Sequence, residues 1–118
     1  MGHSSATTFR GADVDLEMAN QIAEAMQALA TPSRVLILAR LLESSCSVTE
    51  LAEAVGMEQS AVSHQLRILR LLRLVVGERD GRNVLYALHD SHVGVLLEES
   101  ANHVAHLRLA DDEAAFAE

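Results

Sequence analysis

The feature that most constrains this fold is a pair of short predicted helices joined by a glycine-containing turn. Residues 47–50 (Ser-Val-Thr-Glu) have the pattern of a capping box, which opens the first helix, and Gly56 is placed to end it. A second helix is predicted over residues 59 to about 72, with its apolar side chains on one side. Two short helices joined this closely are typical of a helix-turn-helix.

The exposed side of the second helix carries side chains that are able to hydrogen-bond to DNA. In a helix-turn-helix, the N-terminal half of this second helix enters the major groove. Side chains there reach base edges or phosphates, although His64 would fit a packing contact as well. We predict DNA contacts from Gln59, Ser60, Ser63, His64 and Arg67.

The charge of the chain supports DNA binding only through its distribution. The net charge is −8, which argues against nucleic acid because phosphate neutralisation by basic side chains supplies most non-specific DNA affinity. Residues 59–82 nevertheless carry five arginines against Glu78 and Asp80. Charge alone would favour a solvated helix face with excess arginine over a DNA-binding surface. The helix-turn-helix pattern favours a local basic footprint on DNA.

The segments around the helix-turn-helix predict a mainly α fold with a small β-hairpin. Apolar residues at helical spacing indicate a first helix over residues 14–29, and Thr31-Pro32 marks the start of the next. Two strand-like segments flank residues 79–82, where Asp-Gly marks a hairpin. This hairpin is the wing of a winged helix-turn-helix, with Arg79 and Arg82 at its tip to reach phosphates. A last helix is predicted over residues 91–107.

The chain of 118 residues has room for one compact domain. We predict a flexible N-terminal arm over residues 1–13, the winged domain with its dimerising last helix over 14–108, and an acidic flexible tail over 109–118. No apolar run is long enough to cross a membrane and no secretion signal is evident, so we expect a cytoplasmic protein. The lone Cys46 excludes an internal disulfide and a zinc finger.

Four candidate metal ligands lie at the two ends of the last predicted helix: Asp90, His92, His103 and His106. His92 and His103 share a helix face but are separated by about 16 Å of helix rise. Two donors to one metal ion lie within about 4 Å of each other, so a shared site must span two chains. An antiparallel pair of helices in a two-fold homodimer would form two identical sites.

These features together resemble the ArsR/SmtB family of dimeric winged-helix metalloregulators. The similar segments are residues 30–34, residues 51–53 with 59–66, and Asp80-Gly81-Arg82. The resemblance implies a two-fold homodimer through the first and last helices. It also implies, by default, a repressor whose binding to double-stranded operator DNA is weakened by metal, although the sequence does not exclude an activator.

The ligand pattern is similar to that of the nickel- and cobalt-sensing branch of this family. Asp90-x-His92 and His103-x-x-His106 match its last helix, and Met1-Gly2-His3 matches its start. This resemblance implies Ni(II) or Co(II), with added nitrogen donors from His3 and, once Met1 is removed, from the Gly2 amine and the amide that follows it. Arg108 and a tail without histidine depart from that branch. The four main ligands would also satisfy tetrahedral Zn(II).

Other interpretations of these residues remain open. Asp90 also fits the N-cap of the last helix, and we expect His89 to point away from it, in a structural role or as a donor behind the ligands. The competing function classes are a zinc hydrolase with Glu99 as base, and a winged-helix regulator controlled by an accessory protein in place of metal. A zinc hydrolase needs a substrate pocket, and a chain of 118 residues that already uses its surface for DNA and a dimer has little room for one. We therefore predict that the chain is not an enzyme.

Overall fold

The structure, a computed structural model, describes residues 10–116. Within this part of the chain a short 3₁₀ turn at Gly11–Asp13 precedes five helices and a two-stranded antiparallel sheet. The helices and strands are α1 (Leu16–Ala28), α2 (Pro32–Glu43), α3 (Val48–Val55), α4 (Gln59–Leu71), β1 (Val75–Asp80), β2 (Asn83–Leu88) and α5 (Ser91–Phe116). The predicted winged helix-turn-helix is confirmed.

Local capping explains where the central helices begin and end. Thr31 accepts a hydrogen bond from the backbone N–H of Arg34, and Pro32 occupies the first helical position of α2. The predicted capping box forms at α3, where Ser47 and Glu50 bond reciprocally to each other's backbone N–H. Gly56 ends α3 with φ 70°, a left-handed conformation that favours glycine.

The core lies where α2, α3 and α4 pack against the first strand of the wing. Val93 adds the start of α5 to this cluster, and Cys46 is a buried free thiol within it. No polar or charged side chain is fully buried among residues 10–116. Burial of apolar surface therefore holds α4, the second helix of the helix-turn-helix, onto the rest of the domain. The largest fully buried side chains of the core are Ile37, Leu38, Leu51, Val62, Leu66, Leu69 and Val75.

The wing is tighter than the sequence predicted. β1 pairs with β2 from Val75 opposite Leu88 to Asp80 opposite Asn83, so only Gly81 and Arg82 form the turn. Gly81 has φ 67°, which a two-residue hairpin turn of this kind requires. The predicted four-residue tip is therefore wrong, because Arg79 and Asp80 are paired strand residues.

A short extra pairing joins the wing to the segment before α3. The backbone of Cys46 donates to and accepts from that of Tyr86, at N···O distances of 3.0 and 2.7 Å. This bridge connects the helix-turn-helix with β2 through the backbone, and the sequence did not indicate it.

The last helix is longer than predicted. We expected it to end near residue 107, but α5 continues to Phe116 and passes through most of the predicted acidic tail. Residues 98–115 of α5 are all exposed in the single chain. The division of the chain into arm, domain and tail otherwise remains a prediction, and residues 1–9 lie outside the described part.

Candidate metal and DNA-binding sites

The predicted DNA-contacting residues occupy one exposed surface of α4. Val62, Leu66 and Leu69 are buried on the other side of the helix, which orients the polar side outward. All five predicted contacts are on α4 and free of burial: Gln59, Ser60, Ser63, His64 and Arg67. This arrangement presents hydrogen-bond donors and acceptors together on the helix of the helix-turn-helix that reads base edges.

A cleft of about 410 Å³ lies between α4 and the wing. Its lining adds Arg70 and Tyr86 to the predicted contacts Ser63 and Arg67. Two guanidinium groups and two hydroxyl groups around one cleft suit a phosphate group. The spacing of Arg67 and Arg70, about one helical turn, indicates from the sequence that both lie on the same side of α4. The position of Tyr86 in the cleft depends on the register of β2 against β1, which the sequence did not reveal.

Gly77 makes room for the Tyr86 ring at this cleft. The two residues are opposite each other in the β1–β2 pairing, and a Cβ on Gly77 would lie 3.1 Å from the Tyr86 ring. A larger residue at position 77 would displace the tyrosine from its position beside α4. Beyond this point the wing presents Arg79 and Arg82, both exposed.

Asp90 and His92 bring two metal-binding groups together at the start of α5. Asp90 Oδ1 accepts the backbone N–H of His92 at 2.9 Å, which is the contact expected of an N-cap. His92 Nδ1 lies 3.4 Å from the same Oδ1. Two donors on one metal ion are separated by about this distance, and each carboxylate oxygen has a second lone pair. The capping and metal-binding interpretations of Asp90 are therefore compatible.

His89 contacts Asp90, contrary to our expectation that it points away. Its Nδ1 lies 3.2 Å from Asp90 Oδ2. This hydrogen bond, together with the backbone N–H groups of His92 and Val93, lowers the pKa of the Asp90 carboxyl below its ordinary value. The group is thus a carboxylate at neutral pH, which is the form that binds metal. His89 is therefore placed to fix the orientation of the Asp90 carboxylate by a hydrogen bond, without itself being a metal ligand.

His103 and His106 lie on the exposed part of the same continuous helix. The helix separates His103 from His92 by about 16 Å, so these imidazoles and Asp90 cannot meet within one chain. Among residues 10–116 of the single chain, no three His, Cys, Asp or Glu side chains are grouped to hold a metal ion. The remaining candidate ligand, His3, lies outside the described residues.

An apolar groove of about 780 Å³ runs between α1, α2 and α5. Met26 of α1 is 58% exposed there and Val104 of α5 is 49% exposed. Leu107 of α5, which does not line the groove, is also 49% exposed. Exposed apolar surface of this extent marks an interaction site on a soluble domain. His103 and His106 therefore lie on the part of α5 that is exposed in the single chain, residues 98–115.

Comparison with known proteins connects this geometry to a family. Residues 31–76 match the family described as bacterial regulatory protein, arsR family. The chain is 54% identical over 110 residues, 92% of each chain, to the HTH-type transcriptional regulator NmtR of Mycobacterium tuberculosis. This chain belongs to the ArsR family.

Further relatives support the same family membership. The chain is 48% identical over 91 residues to the transcriptional repressor SmtB homolog of Synechocystis, covering 77% of this chain and 69% of that one. The solution structure of apo-NmtR aligns with a TM-score of 0.71 over 86% of this chain and 85% of that chain, at 53% identity. The shared fold thus extends well beyond the segment 31–76.

A solved homodimer is also similar to this ArsR-family chain. It is the winged helix-turn-helix DNA-binding domain of a Mycobacterium bovis protein, described as homodimeric, with a TM-score of 0.69 and 28% identity. The alignment covers 89% of this chain and 93% of that one. The apolar groove between α1 and α5 is therefore found in a fold that is known to assemble in pairs.

Membership in the ArsR family excludes the enzyme class from the competing functions. The chain is a transcriptional regulator and not an enzyme, so the zinc-hydrolase interpretation is wrong. No helix among the described residues is long and apolar enough to span a membrane. The exposed donors at the start of α5 and near its middle, where the longer observed helix places His103 and His106, are accordingly candidates for sensing and not for hydrolysis.

Proposed function

We propose that this protein is a homodimeric repressor that binds operator DNA without metal and is released by nickel or cobalt. The observation that carries the proposal is the distribution of donors along α5. One pair, Asp90 and His92, converges at the helix start, and a second pair, His103 and His106, lies on its unpartnered half. Two copies in antiparallel contact would complete two identical sites.

The exposure of α5 supports this dimer. Its residues 98–115 contact nothing that buries them in one chain, although Val104 and Leu107 are large and apolar. Packing two copies through α1 and α5 would remove these side chains from water. Antiparallel packing in the required register would set the start of α5 beside residues 103–106, near the middle of the partner's α5, as the metal site needs.

The donor set fits a divalent first-row metal. One carboxylate and three imidazoles match the preferences of nickel, cobalt and zinc, and the free Cys46 is buried in the core away from them. His3 and the Gly2 amine would extend the set to six donors, which favours Ni(II) or Co(II) over tetrahedral Zn(II). When bound, the metal supplies a cross-link between the two chains.

Regulation follows from linkage between the two sites. Apo dimers bind a palindromic operator through the exposed surface of α4, with Arg79 and Arg82 on the flanking phosphates. If metal binding favours a dimer geometry that fits DNA less well, DNA must weaken metal binding by the same factor. The protein would then act in the cytoplasm, where its operator is.

The first test is operator binding by fluorescence anisotropy at fixed salt, without metal and with nickel, cobalt or zinc. We expect one of these metals to weaken binding at least tenfold, and the double variant His103→Ala/His106→Ala to lose this response. Asn102→Ala, an exposed neighbour on the same helix, is the control. An intact response in the double variant would refute the proposed ligands, and metal-independent binding by the wild type would favour control by an accessory protein.

Mixed dimers test whether the site spans two chains. Asp90→Ala/His92→Ala and His103→Ala/His106→Ala homodimers should each lack high-affinity metal binding. After the two variants are mixed and exchanged, a heterodimer regains one complete site, made from Asp90 and His92 of one chain and His103 and His106 of the other. No recovery of metal binding in verified heterodimers would exclude a site shared in this way.

A further inference from the structure

Arg34 joins three helices through its side chain. It lies in the first turn of α2, and its Nε donates to Gln65 Oε1 of α4 at 2.8 Å. Its Nη1 donates to the backbone carbonyl of Ala28, the last residue of α1, at 3.2 Å. Arg34 and Gln65 are both half-buried. A planar guanidinium with donors in fixed directions connects two such acceptors more rigidly than a lysine would.

The Ala28 carbonyl is at the point where α1 attaches to the domain. Ala28 is the one buried residue of α1, while most of the helix is exposed. The next two backbone N–H groups, of Leu29 and Ala30, bond to the carbonyls of Met26 and Gln27. The end of α1 leaves the Ala28 carbonyl for Arg34, and a positive charge is stabilising at a helix C-terminus.

Gln65 lies in the middle of the predicted DNA-binding part of α4. Ser63 and Arg67, two residues to either side, are on the exposed surface, whereas Gln65 turns toward α2. Apolar packing of Val62, Leu66 and Leu69 holds α4 in place but has little directionality. A hydrogen bond weakens steeply when its angle changes. The Arg34–Gln65 bond therefore restricts rotation of α4 about its own axis.

We infer that Arg34 is a positioning residue that fixes the orientation of α4 relative to α1. A change in the packing of α1 within the dimer then reaches the DNA-facing side chains through Ala28, Arg34 and Gln65. This inference rests on the proposed function for its DNA and metal readouts. It assigns to Arg34 no contact with DNA or metal.

Three variants test the inference: Arg34→Lys, Gln65→Ala and the double variant. Lysine keeps the positive charge but cannot bond to both acceptors in the planar geometry. The control is Arg40→Lys on the same helix, because among residues 10–116 the Arg40 side chain donates a hydrogen bond to Ser44 alone, at 3.2 Å. Operator affinity is measured for each apo dimer over a range of salt concentrations and again with the inducing metal.

Each single variant is expected to weaken apo operator binding about tenfold, and the double variant by no more than either single one, since both remove the same bond. The salt dependence should stay unchanged, and the ratio of operator Kd with and without metal should shrink. Arg40→Lys should behave as wild type. Wild-type affinity and metal response, or additive losses in the double variant, would each overturn the inference.

Hydrogen exchange of the apo protein separates this inference from the proposed function. If the wild type fails to bind its operator or to respond to metal, the proposed function fails. The positioning role is then judged on Arg34→Lys alone. Faster exchange at amides of both α4 and the end of α1, with α3 unchanged, supports it, and exchange that is unchanged or altered only in α2 refutes it.

Discussion

At the scale of single residues, backbone conformation and side-chain contacts give each site its properties. Arg73 adopts φ 61°, the one residue other than glycine with positive φ among residues 10–116. Arg73 follows α4. The backbone N–H of Leu74 closes the turn by donating a hydrogen bond to the carbonyl of Leu69, at 2.9 Å. Glycine is the usual residue at this position because it has no Cβ to clash in the left-handed conformation.

Arg73→Gly is therefore expected to stabilise the fold by roughly 0.5–1 kcal/mol, as relief of left-handed strain outweighs the added entropy of the unfolded chain. Urea unfolding at one fixed protein concentration measures the change. Arg70→Gly removes the same charge inside α4 and should destabilise by about 1 kcal/mol. Equal losses in both variants would contradict the argument from φ.

Asp90→Ser separates the capping role of this residue from its proposed metal role. Serine is as good an N-cap as aspartate and can accept the N–H of His92, so stability should change by less than about 0.5 kcal/mol. Metal affinity should fall roughly 100-fold, because losing a metal ligand costs at least as much affinity as losing a residue that only hydrogen-bonds to a ligand. Calorimetric titration with nickel and thermal unfolding give the two values. Unchanged metal affinity would remove Asp90 from the site.

At the scale of elements, local capping and turn signals placed α2, α3 and the start of α4 correctly. The wing turn was predicted to be two residues too long. Arg79 and Asp80 pair with Val84 and Asn83 of β2, and this pairing is not evident from the residues next to them in the sequence. The end of α5 was predicted too early. Residues 108–116 contain no glycine or proline and several strong helix formers, so acidity was a poor reason to end the helix there.

The wing should contribute to DNA affinity through charge and not through sequence recognition. Arg79→Ala and Arg82→Ala are each expected to reduce the slope of log affinity against log salt by about 0.9, with the preference for operator over unrelated DNA unchanged. Anisotropy titrations at several salt concentrations measure both quantities. Arg40→Ala, outside α4 and the wing, serves as the charge-matched control. A loss of preference with an unchanged slope would instead indicate a base contact.

At the scale of the whole molecule, the single chain leaves the apolar side of α5 in water, which predicts dimerisation through it. Val104→Asp or Leu107→Asp places a charge at this surface, twice per dimer by symmetry. Losing two apolar contacts of about 1.5 kcal/mol each raises the dimer dissociation constant roughly 100-fold. Sedimentation velocity measures this, and metal binding should weaken with it.

The control for the dimer experiment is Leu71→Asp, because Leu71 is 78% exposed on α4 outside the groove. It should leave the oligomeric state unchanged. A fully dimeric Leu107→Asp variant would show that α5 is not the dimer surface and would remove the basis for a metal site shared between chains.

The sequence by itself determined those features that depend on neighbouring residues. The capping box, the turn at Gly56 and the alternation of buried and exposed residues on α4 are set within about one helical turn. The constant rise of a helix also fixes the separation of His92 from His103 through their spacing along the chain. The helix-turn-helix and the need for two chains in a metal site were thus accessible from the sequence.

Only the tertiary structure decided which side chains from distant segments meet. The position of Tyr86 beside α4 and the bond from Arg34 to Gln65 depend on strand register and helix packing. Arg34 and Gln65 are 31 residues apart, and no periodicity relates them. Such contacts result from the packing of the whole core, because the position of each helix is fixed by all of its neighbours together.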